Sequence, residues 1–518
     1  MATDYEQLLT ALRDPASYPH AAQAVEHLQT HISHVFLAGD YAYKLKKPVD
    51  FGFLDFGTPE KRAAACAAEL HLNRRLAPEV YLGAAYLCRG PRGLHVALAA
   101  CAPGTDSGEV LVRMRRLPQE GLLDRLARAG RLTEAHMVEI ASQVARFHAQ
   151  GHTPGIERYG GLDAISGPVQ QNFAQLRPYA GRVFDGARLA RVQQEAVSGM
   201  QRHAARFAAR VRAGRIVDGH GDLHLRNMCL ADGRVVIFDC IEFNPALRAG
   251  DALSDIAFLV MDLRHRQLPR LATRFLNEYL EASGDYAGMP LLDFYVAYRA
   301  CVRAKVLALG LDSAAPAIQA ALAQEAAAYL ELADTTLTPR RGGILITCGV
   351  SGSGKTTLAR QVAAAMDAVI VRSDAVRKHL AGVDLGTRGA SDPALYTRAM
   401  TEQTYDALRA HGREIAASGY WVILDAVHGR RAERAAAGAL AQELGIPFGI
   451  LHCTAAPEEL RRRVAIRGAA GNDLSDATVA VLEAQLRQFE PPDGTEGPRF
   501  AWHGSESPEP WLRALASG

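Results

Sequence analysis

The stretch GVSGSGKT, at residues 349–356, has the residue types and spacing of a loop that holds phosphate groups. Its glycines let backbone N–H groups turn toward phosphate oxygens, the lysine reaches the β- and γ-phosphates, and the threonine hydroxyl ligates Mg²⁺. An apolar run precedes the loop and a helical pattern follows, which is the context that separates such a loop from a chance glycine-rich turn. The candidate nucleotide-binding residues are Gly349, Ser351, Gly352, Ser353, Gly354, Lys355, Thr356 and Thr357.

Two acids follow the next apolar runs of this region. Asp374 stands three residues before Arg377 in VRSDAVRKHL, and Asp425 ends the run WVILDA. At the carboxyl edge of a parallel sheet, Asp374 can accept a proton from a hydroxyl, Arg377 can hold the acceptor, and Asp425 can orient Mg²⁺. The plainer interpretations are that Asp374 caps a helix and that Asp425 belongs to a turn.

An arginine-rich helix is expected in ELRRRVAIRG. Arg463 and Arg467 are four residues apart and share a face, so they can close over a polyphosphate as a lid. The alternative is a solvated basic face. The set of acids and arginines beside a phosphate loop favours catalysis over these plainer interpretations.

A second group of polar residues lies much earlier, in HGDLHLRN and the run VVIFDCIEF. Phosphoryl transfer to a hydroxyl needs an acid that accepts the proton, and oxygen ligands for Mg²⁺. Asp222 is suited to be this base, Asn227 and Asp239 to be the metal ligands, and His220 to brace the loop. The alternative for HGDLHLRN alone is a polar loop between strands.

A lysine and a glutamate upstream complete this set. Lys44 lies in the predicted strand YAYK and Glu69 lies within a predicted helix, as in kinases where a lysine on the phosphates pairs with a helix glutamate. Lys46 would face the same side as Lys44, and Glu69 could instead be a surface acid. Asp251 and Asp255 are expected to brace the loop or cap a helix.

The patterns predict two domains joined by a linker. Residues 1–335 read as a small strand-rich lobe and a larger helical lobe, residues 336–342 as a linker, and residues 343–518 as βαβ units around a buried parallel sheet. The predicted fold class is an α+β protein-kinase-like bilobal domain followed by an α/β P-loop domain with a parallel sheet. Residues 18–33 are predicted to form a helix, and residues 58–78 another that begins at a threonine cap.

Composition sets broad limits on the function. The 518 residues carry a net charge of +2, which gives no global attraction to nucleic acid or membrane. No apolar run is long enough to span a bilayer. The eight cysteines, without a C-x-x-C pair or an export signal, are expected to be reduced thiols of a cytoplasmic protein. The sequence carries no signal for an oligomeric state.

HGDLHLRN and IFDCIEF resemble the aminoglycoside phosphotransferase and choline kinase-like family. The chain has no G-x-G-x-x-G before Lys44 and has D-C-I in place of D-F-G, which favours a small-molecule kinase over a protein kinase. Residues from about 342 onward resemble P-loop kinases such as gluconate kinase, chloramphenicol phosphotransferase and the 5′-kinase domain of polynucleotide kinase, the last at Asp374 and Arg377. The order of the two resembles bacterial bifunctional aminoglycoside phosphotransferase/ATP-binding proteins.

These resemblances imply two kinase modules that use ATP and Mg²⁺. Small-molecule hydroxyl groups are the expected acceptors, and the C-terminal acceptor could also be a nucleotide or a nucleic acid 5′ end. The alternative is one productive kinase, with the P-loop domain as a nucleotide-gated regulatory or toxin-like module. An N-terminal pseudokinase is disfavoured because Asp222, Asn227 and Asp239 are all present.

Overall fold

The computed structural model describes residues 2–52, 54–91, 93–102, 104–386, 393–470 and 477–517. It forms two compact units. The first unit comprises Met1–Leu132, Arg146–Ile165 and Phe207–Leu259, and the second comprises Thr133–Ala145, Ser166–Arg206 and Val260–Gly518. The predicted domain boundaries at residues 335 and 343 do not coincide with these units and remain a prediction.

The strands in chain order are β1 Val25–Gln29, β2 Ser33–Ala38, β3 Tyr41–Lys46, β4 Tyr81–Gly90, β5 Gly93–Ala97, β6 Asp106–Arg115, β7 Ile216–Asp218, β8 Met228–Ala231, β9 Arg234–Ile237, β10 Ala249–Asp251, β11 Gly343–Cys348, β12 Val369–Arg372, β13 Trp421–Asp425, β14 Phe448–Cys453 and β15 Arg499–Trp502.

The helices are α1 Ala2–Arg13, α2 Pro59–Asn73, α3 Leu123–Arg128, α4 Glu134–Ala149, α5 Leu162–Leu176, α6 Gly186–Arg202, α7 Ala204–Arg212, α8 Pro245–Arg248, α9 Ala252–His265, α10 Pro269–Ser283, α11 Leu292–Gly310, α12 Pro316–Leu337, α13 Lys355–Met366, α14 Ser373–Ala381, α15 Arg398–Ala417, α16 Arg431–Leu444, α17 Pro457–Ala470, α18 Val479–Gln488 and α19 Glu509–Ser517.

An antiparallel sheet in the order β1-β2-β3-β6-β4-β5 organises the first unit. β2 and β3 form a hairpin around Gly39, whose φ of 57° suits a glycine in a tight turn. α2 begins as predicted: the Thr58 side chain accepts a hydrogen bond from the Lys61 amide, and Pro59 occupies the first helical position. The sheet and α2 together place their inward side chains on one face.

The predicted helix over residues 18–33 is wrong. β1 occupies Val25–Gln29 and pairs antiparallel with β2, so that Val25 faces Ala38. The alanines before β1 favour a helix locally, but the edge of β2 offers a row of backbone hydrogen bonds that a short helix does not replace. Pairing with the sheet therefore overrides the local propensity.

The expectation that all eight cysteines are reduced is also wrong. Cys88 and Cys101 form a disulfide, while the other six cysteines are free and buried. Cys88 lies on β4 and Cys101 follows β5, so the β4–β5 hairpin brings the two residues together across a short sequence separation. The hairpin thus places the two cysteines close enough to form a disulfide, and the spacing of the cysteines in the sequence did not reveal this.

A parallel sheet in the order β12-β13-β11-β14-β15 forms the centre of the second unit in the residues that the structure describes. The apolar run before the phosphate loop is β11, and the runs that precede Asp374 and Asp425 are β12 and β13. β15 was not predicted from the sequence, and it pairs parallel with β14. The predicted P-loop fold with a parallel sheet is confirmed.

Helix α10 covers the outer edge of this sheet. The Asn277 carboxamide donates to Ala368 O at 2.9 Å and accepts from the Ile370 amide at 2.6 Å. These are the two hydrogen bonds that a residue of a further parallel strand would make with β12. Thr273 adds a hydrogen bond to Asp367 Oδ1 at 2.7 Å, so α10 is fixed along the start of β12.

No helix in the described ranges combines the length and the apolar character needed to cross a bilayer.

Candidate active sites

A buried network of lysines and acids lies on the inner face of the first unit. Lys44 Nζ donates to Glu69 Oε1 at 2.9 Å and to Asp239 Oδ1 at 2.6 Å. Lys46, two residues along the same face of β3, contacts Glu69 Oε2 at 2.5 Å and also Glu242. The structure thus distinguishes the two lysines by their contacts. Both contact Glu69, but it is Lys44 that contacts the predicted metal ligand Asp239.

The charges of the two lysines keep Glu69 ionised despite its burial. Burial raises the pKa of the Glu69 carboxyl, but the charges of Lys44 and Lys46 outweigh burial and bring this pKa down to about 2. Burial also lowers the pKa of Lys44, and the carboxylates of Asp239 and Glu69 reverse this effect and raise it well above its ordinary value. Glu69 is therefore a buried ionised partner of Lys44 and not a surface acid.

The loop between β7 and β8 carries the predicted base. Asn227 Nδ2 donates to Asp222 Oδ2 at 2.9 Å, and His224 Nε2 lies 3.2 Å from Asp222 Oδ1. Both carboxylate oxygens of Asp222 are thereby oriented, while its side chain remains one-third exposed. An oriented and accessible carboxylate is what proton acceptance from a hydroxyl requires.

Asp255 braces this loop, as one of the two sequence interpretations proposed. It accepts hydrogen bonds from the backbone amides of His220 at 2.7 Å and Gly221 at 2.9 Å. His148 Nε2 lies 3.1 Å from Asp255 Oδ2. Burial raises the pKa of Asp255, but the hydrogen bond to His148 and the neighbouring donors outweigh it and hold the pKa well below its ordinary value.

Asp239 has an uncommon backbone conformation. Its φ of 63° lies in the left-handed region, which costs a non-glycine residue on the order of 1–3 kcal/mol and is concentrated at functional sites. Its amide donates to the Tyr81 hydroxyl at 3.0 Å, which helps to hold this conformation. The sequence could not have shown this strain, although it did identify the residue.

The phosphate loop of the second unit runs between β11 and α13. Gly349, Gly352 and Gly354 all have positive φ, at 149°, 82° and 92°, so successive amides can turn inward. The Ser353 hydroxyl is buried, and it has no hydrogen-bond partner in the part of the chain that the structure describes. An orphaned buried hydroxyl in a loop of inward amides fits a bound phosphate, which would supply the missing acceptor.

Lys355, Thr356 and Asp425 meet at the end of this loop. Thr356 Oγ1 donates to Asp425 Oδ2 at 2.7 Å, and Thr347 Oγ1 donates to Asp425 Oδ1 at 2.9 Å. Lys355 Nζ donates to Val350 O at 3.0 Å, within its own loop. Burial lowers the pKa of Lys355, which makes a phosphate a favourable partner for this ammonium group.

Asp374 and Arg377 lie at the start of α14, on the same side of the sheet as Asp425. Asp374 belongs to the first helical turn but is not the N-cap residue, which is Arg372. Burial raises the pKa of Asp374, against the charges of Arg372 and Arg377. Arg377 Nη1 donates to Leu395 O at 3.0 Å, so a backbone carbonyl also holds this arginine in place.

The four arginines of α17 divide into two pairs. Arg461 and Arg462 are exposed and pair with Glu483 and Glu459, which is the solvated arrangement. Arg463 Nη1 donates to Gly352 O at 3.3 Å in the phosphate loop.

Arg467 lies on the same face of α17 as Arg463. One of its terminal nitrogens, Nη2, is buried and has no hydrogen-bond partner within the described ranges. Its charge acts with burial to lower the pKa of Lys355. Arg463 and Arg467 are thus the arginines of α17 that the fold brings to this site.

Oxygen ligands suited to Mg²⁺ are present in both units. Asp239 and Asn227 supply a carboxylate and an amide oxygen, and Asp425 and Thr356 supply a carboxylate and a hydroxyl. Among the residues described, no group of three or more histidines, cysteines or acids could hold a metal by itself. Each of the two sets supplies one carboxylate, and Mg²⁺ is usually held by one or two carboxylates together with the phosphates of a substrate.

Comparisons with known proteins identify both parts of the chain. The model of the Phosphotransferase enzyme family matches residues 49–292, and that of the AAA domain matches residues 344–492. An uncharacterized protein of Mycobacterium tuberculosis (strain ATCC 25618 / H37Rv) is 36% identical over 479 residues, which cover 91% of this chain and 92% of that protein. The chain therefore belongs to one family with this relative, and in this chain a phosphotransferase domain is fused to a P-loop kinase domain. The fused phosphotransferase therefore contains two kinase-like domains.

Solved structures similar to parts of this chain include two kinases. A choline/ethanolamine kinase family protein from Mesorhizobium loti is 14% identical, with a TM-score of 0.37, and the match covers 65% of this chain and 99% of that chain. The APS kinase of Mycobacterium tuberculosis in complex with AMPPNP and APS is 20% identical, with a TM-score of 0.27, and the match covers 35% of this chain and 100% of that chain.

Three residues that contact these sites were not found from the sequence. Glu242 follows Asp239 by three residues and pairs with Lys46. Arg372 precedes Asp374 by two residues and faces Asp425 across 3.9 Å. Gln485 of α18 accepts a hydrogen bond from the Ser351 amide at 2.8 Å. The first two stand within segments already singled out, whereas Gln485 carries no local signal because its contact depends on tertiary structure.

Proposed function

We propose that each of the two kinase-like domains transfers the γ-phosphate of ATP to a hydroxyl group of a small molecule, with Mg²⁺ as cofactor. The observation that supports this most is Lys44, which bonds both Glu69 and Asp239. A lysine that bridges a helix acid and a strand-end acid can hold phosphate oxygens on one side and leave the carboxylate of Asp239 for a metal.

In the first domain, Asp222 accepts the proton of the acceptor hydroxyl as the new bond to phosphorus forms. Asn227 keeps Asp222 oriented through its amide nitrogen, and its amide oxygen and Asp239 would hold Mg²⁺. When bound, the metal neutralises the charge that develops on the transferred group. Asp255 keeps the loop in register through the amides of His220 and Gly221.

In the second domain, Lys355 and the phosphate-loop amides bind the nucleotide phosphates, and Thr356 with Asp425 would hold Mg²⁺. Asp374 accepts the proton of the acceptor, Arg377 orients the acceptor, and Arg463 with Arg467 closes over the phosphates. The acceptor is a small molecule, a nucleotide or a nucleic acid 5′ end. A cytoplasmic location, where ATP is abundant, belongs to the same proposal.

The test uses the full chain with one domain disabled at a time. Asp222→Asn disables the first domain and Lys355→Ala the second, and each variant is incubated with γ-labelled ATP, Mg²⁺ and a panel of metabolites and 5′-hydroxyl oligonucleotides. Two separate sets of labelled products, each lost with one variant, are expected. Nucleotide hydrolysis without transfer in the Asp222→Asn protein would instead indicate that the P-loop domain is a nucleotide-gated regulator.

A further inference from the structure

Helix α10 presents one polar face to the P-loop domain. Residues along this face, at spacings of three and four, are Arg270, Thr273, Arg274, Asn277, Glu278 and Glu281. α10 lies within the residues matched by the Phosphotransferase enzyme family, whereas β12 lies within the AAA-domain match. Both belong to the second compact unit, so this contact joins the two matched regions inside one folded body.

Glu281, at the end of this face, contacts the carboxyl end of β12. Arg372 Nη1 donates to Glu281 Oε1 at 3.3 Å and to Oε2 at 3.4 Å. The backbone oxygen of Glu281 lies 2.8 Å from His379 Nε2, which ties the same turn of α10 to α14. Burial raises the pKa of Glu281, and the charge of Arg372 opposes this effect.

Arg372 itself stands at the centre of the second site. Its side chain is 8% exposed, and its Nε lies 3.9 Å from Asp425 Oδ2. Asp425 accepts a hydrogen bond from Thr356, and the charge of Arg372 opposes the rise that burial causes in the pKa of Asp374. A buried guanidinium therefore lies among the candidate base and the residues suited to hold Mg²⁺.

An open cleft reaches this guanidinium. Thr356, Arg372 and Glu281 all line it. Arg372 can thus contact a phosphoryl oxygen next to Thr356 while Glu281 holds its other side. Glu281 holds the guanidinium through Nη1, and because the group is a rigid plane this contact also limits the directions of its other nitrogens.

We propose that Arg372 is a catalytic residue that contacts the transferred phosphoryl group in the second domain, and that Glu281 of α10 is its positioning residue. This inference rests on the function proposed for the second domain. It means that the P-loop kinase site is not complete within residues 344–492, because one of its supports comes from the region matched by the other enzyme family.

If Glu281 has a purely structural role, the expected effect of its loss is different. If the pair with Arg372 only stabilises the unit, its loss lowers the melting temperature and affects every nucleotide state equally. If Glu281 positions Arg372 for the transferred group, its loss selectively weakens the state in which charge accumulates on that group. ADP with aluminium fluoride and Mg²⁺ imitates that state, whereas ADP alone does not.

The experiment measures both affinities by titration calorimetry on the full chain, and the second site is identified as the nucleotide binding that Lys355→Ala removes. For Glu281→Gln we expect binding of ADP with aluminium fluoride and Mg²⁺ to weaken about 10-fold, as for loss of one hydrogen bond between charged groups, while ADP affinity changes less than about 2-fold. Arg372→Lys, which keeps the charge but not the fork, is expected to show the same selective loss. The control is Glu278→Gln, which lines the same cleft and pairs with Arg274 instead.

A double-mutant cycle then separates positioning from stability. In the Arg372→Ala background, Glu281→Gln should cause no further loss, because Glu281 acts only through the guanidinium. Additive losses, equal losses for both nucleotide states, or an unchanged affinity in Glu281→Gln and Arg372→Lys would each overturn the inference. Failure of the proposed function itself is distinguishable, because the parent protein would then form no labelled product from γ-labelled ATP that Lys355→Ala removes.

Discussion

Gly349 should not tolerate a side chain. Its φ is 149°, a conformation that L-residues rarely adopt, and a Cβ atom there would lie 2.3 Å from Cys453 O and 2.7 Å from Ser353 Oγ. The first of these atoms is backbone at the end of β14, so it cannot rotate away. Gly349→Ala therefore forces either the phosphate loop or the end of β14 to move.

The expected cost has two parts. The unfavourable φ contributes on the order of 1–3 kcal/mol, and forcing a methyl group against packed atoms contributes about 1–3 kcal/mol more. The sum, about 2–6 kcal/mol, falls on the loop that must present its amides to phosphate. Even the lower value corresponds to a loss of nucleotide affinity of roughly 30-fold if the loop has to return to its native shape for binding.

Calorimetric titration of the full chain with ATP and Mg²⁺ measures this effect directly. The wild type is expected to bind two nucleotides and Gly349→Ala one. The matched control is Gly382→Ala, at a φ of 67° with no atom within 4 Å of the added Cβ, which should cost about 1–2 kcal/mol of stability and no nucleotide site. Two nucleotides bound by Gly349→Ala with wild-type affinity would refute the argument from loop geometry.

Three other predictions follow from the sites and from the disulfide. Asp222→Asn should reduce transfer by the first domain by about 10²–10⁴-fold with nearly unchanged ATP affinity, measured by initial rates and calorimetry, and full activity on the true acceptor would remove Asp222 from the mechanism. Asp374→Asn should abolish transfer by the second domain. Because burial raises the pKa of Asp374, wild-type transfer should fall as the pH is lowered through a value above the ordinary aspartate pKa of about 3.9. At pH 7 the ionised Asp374 costs stability, so the variant should melt at a higher temperature than the wild type. Reduction of Cys88–Cys101 should lower the melting temperature of the first unit without changing nucleotide binding by the second, and a Cys88→Ser, Cys101→Ser protein that melts like the oxidised wild type would contradict a stabilising role.

Local chemistry explains which features the sequence revealed. The place of the phosphate loop between β11 and α13, and the contact between Asp222 and Asn227, could be expected because each lies in one short segment, whereas the roles of these residues and of Asp239 in catalysis stay a prediction. Thr58 marked the start of α2 because a cap acts within three residues. β1 and β15 were missed because their stability comes from the neighbouring strand and not from their own residues.

The contacts made by distant residues could not be predicted in this way. Glu281 and Arg372 are separated by 91 residues, and no spacing rule joins them. The same holds for the hydrogen bond between Ser351 and Gln485 across 134 residues. Lys44 and Lys46 were equivalent in the sequence, and only the positions of Asp239 and Glu242 distinguish them.

The hydrogen bonds of Asn277 have a consequence for handling the protein in pieces. Without α10, the backbone groups of Ala368 and Ile370 would be open to solvent on a short, apolar outer strand, which is a template on which a second molecule can add its own strand. A fragment that begins at residue 343 should therefore self-associate, whereas one that begins before α10, near residue 260, should remain monomeric. Sedimentation of the two fragments would show whether α10 serves as a guard against aggregation in the full-length chain.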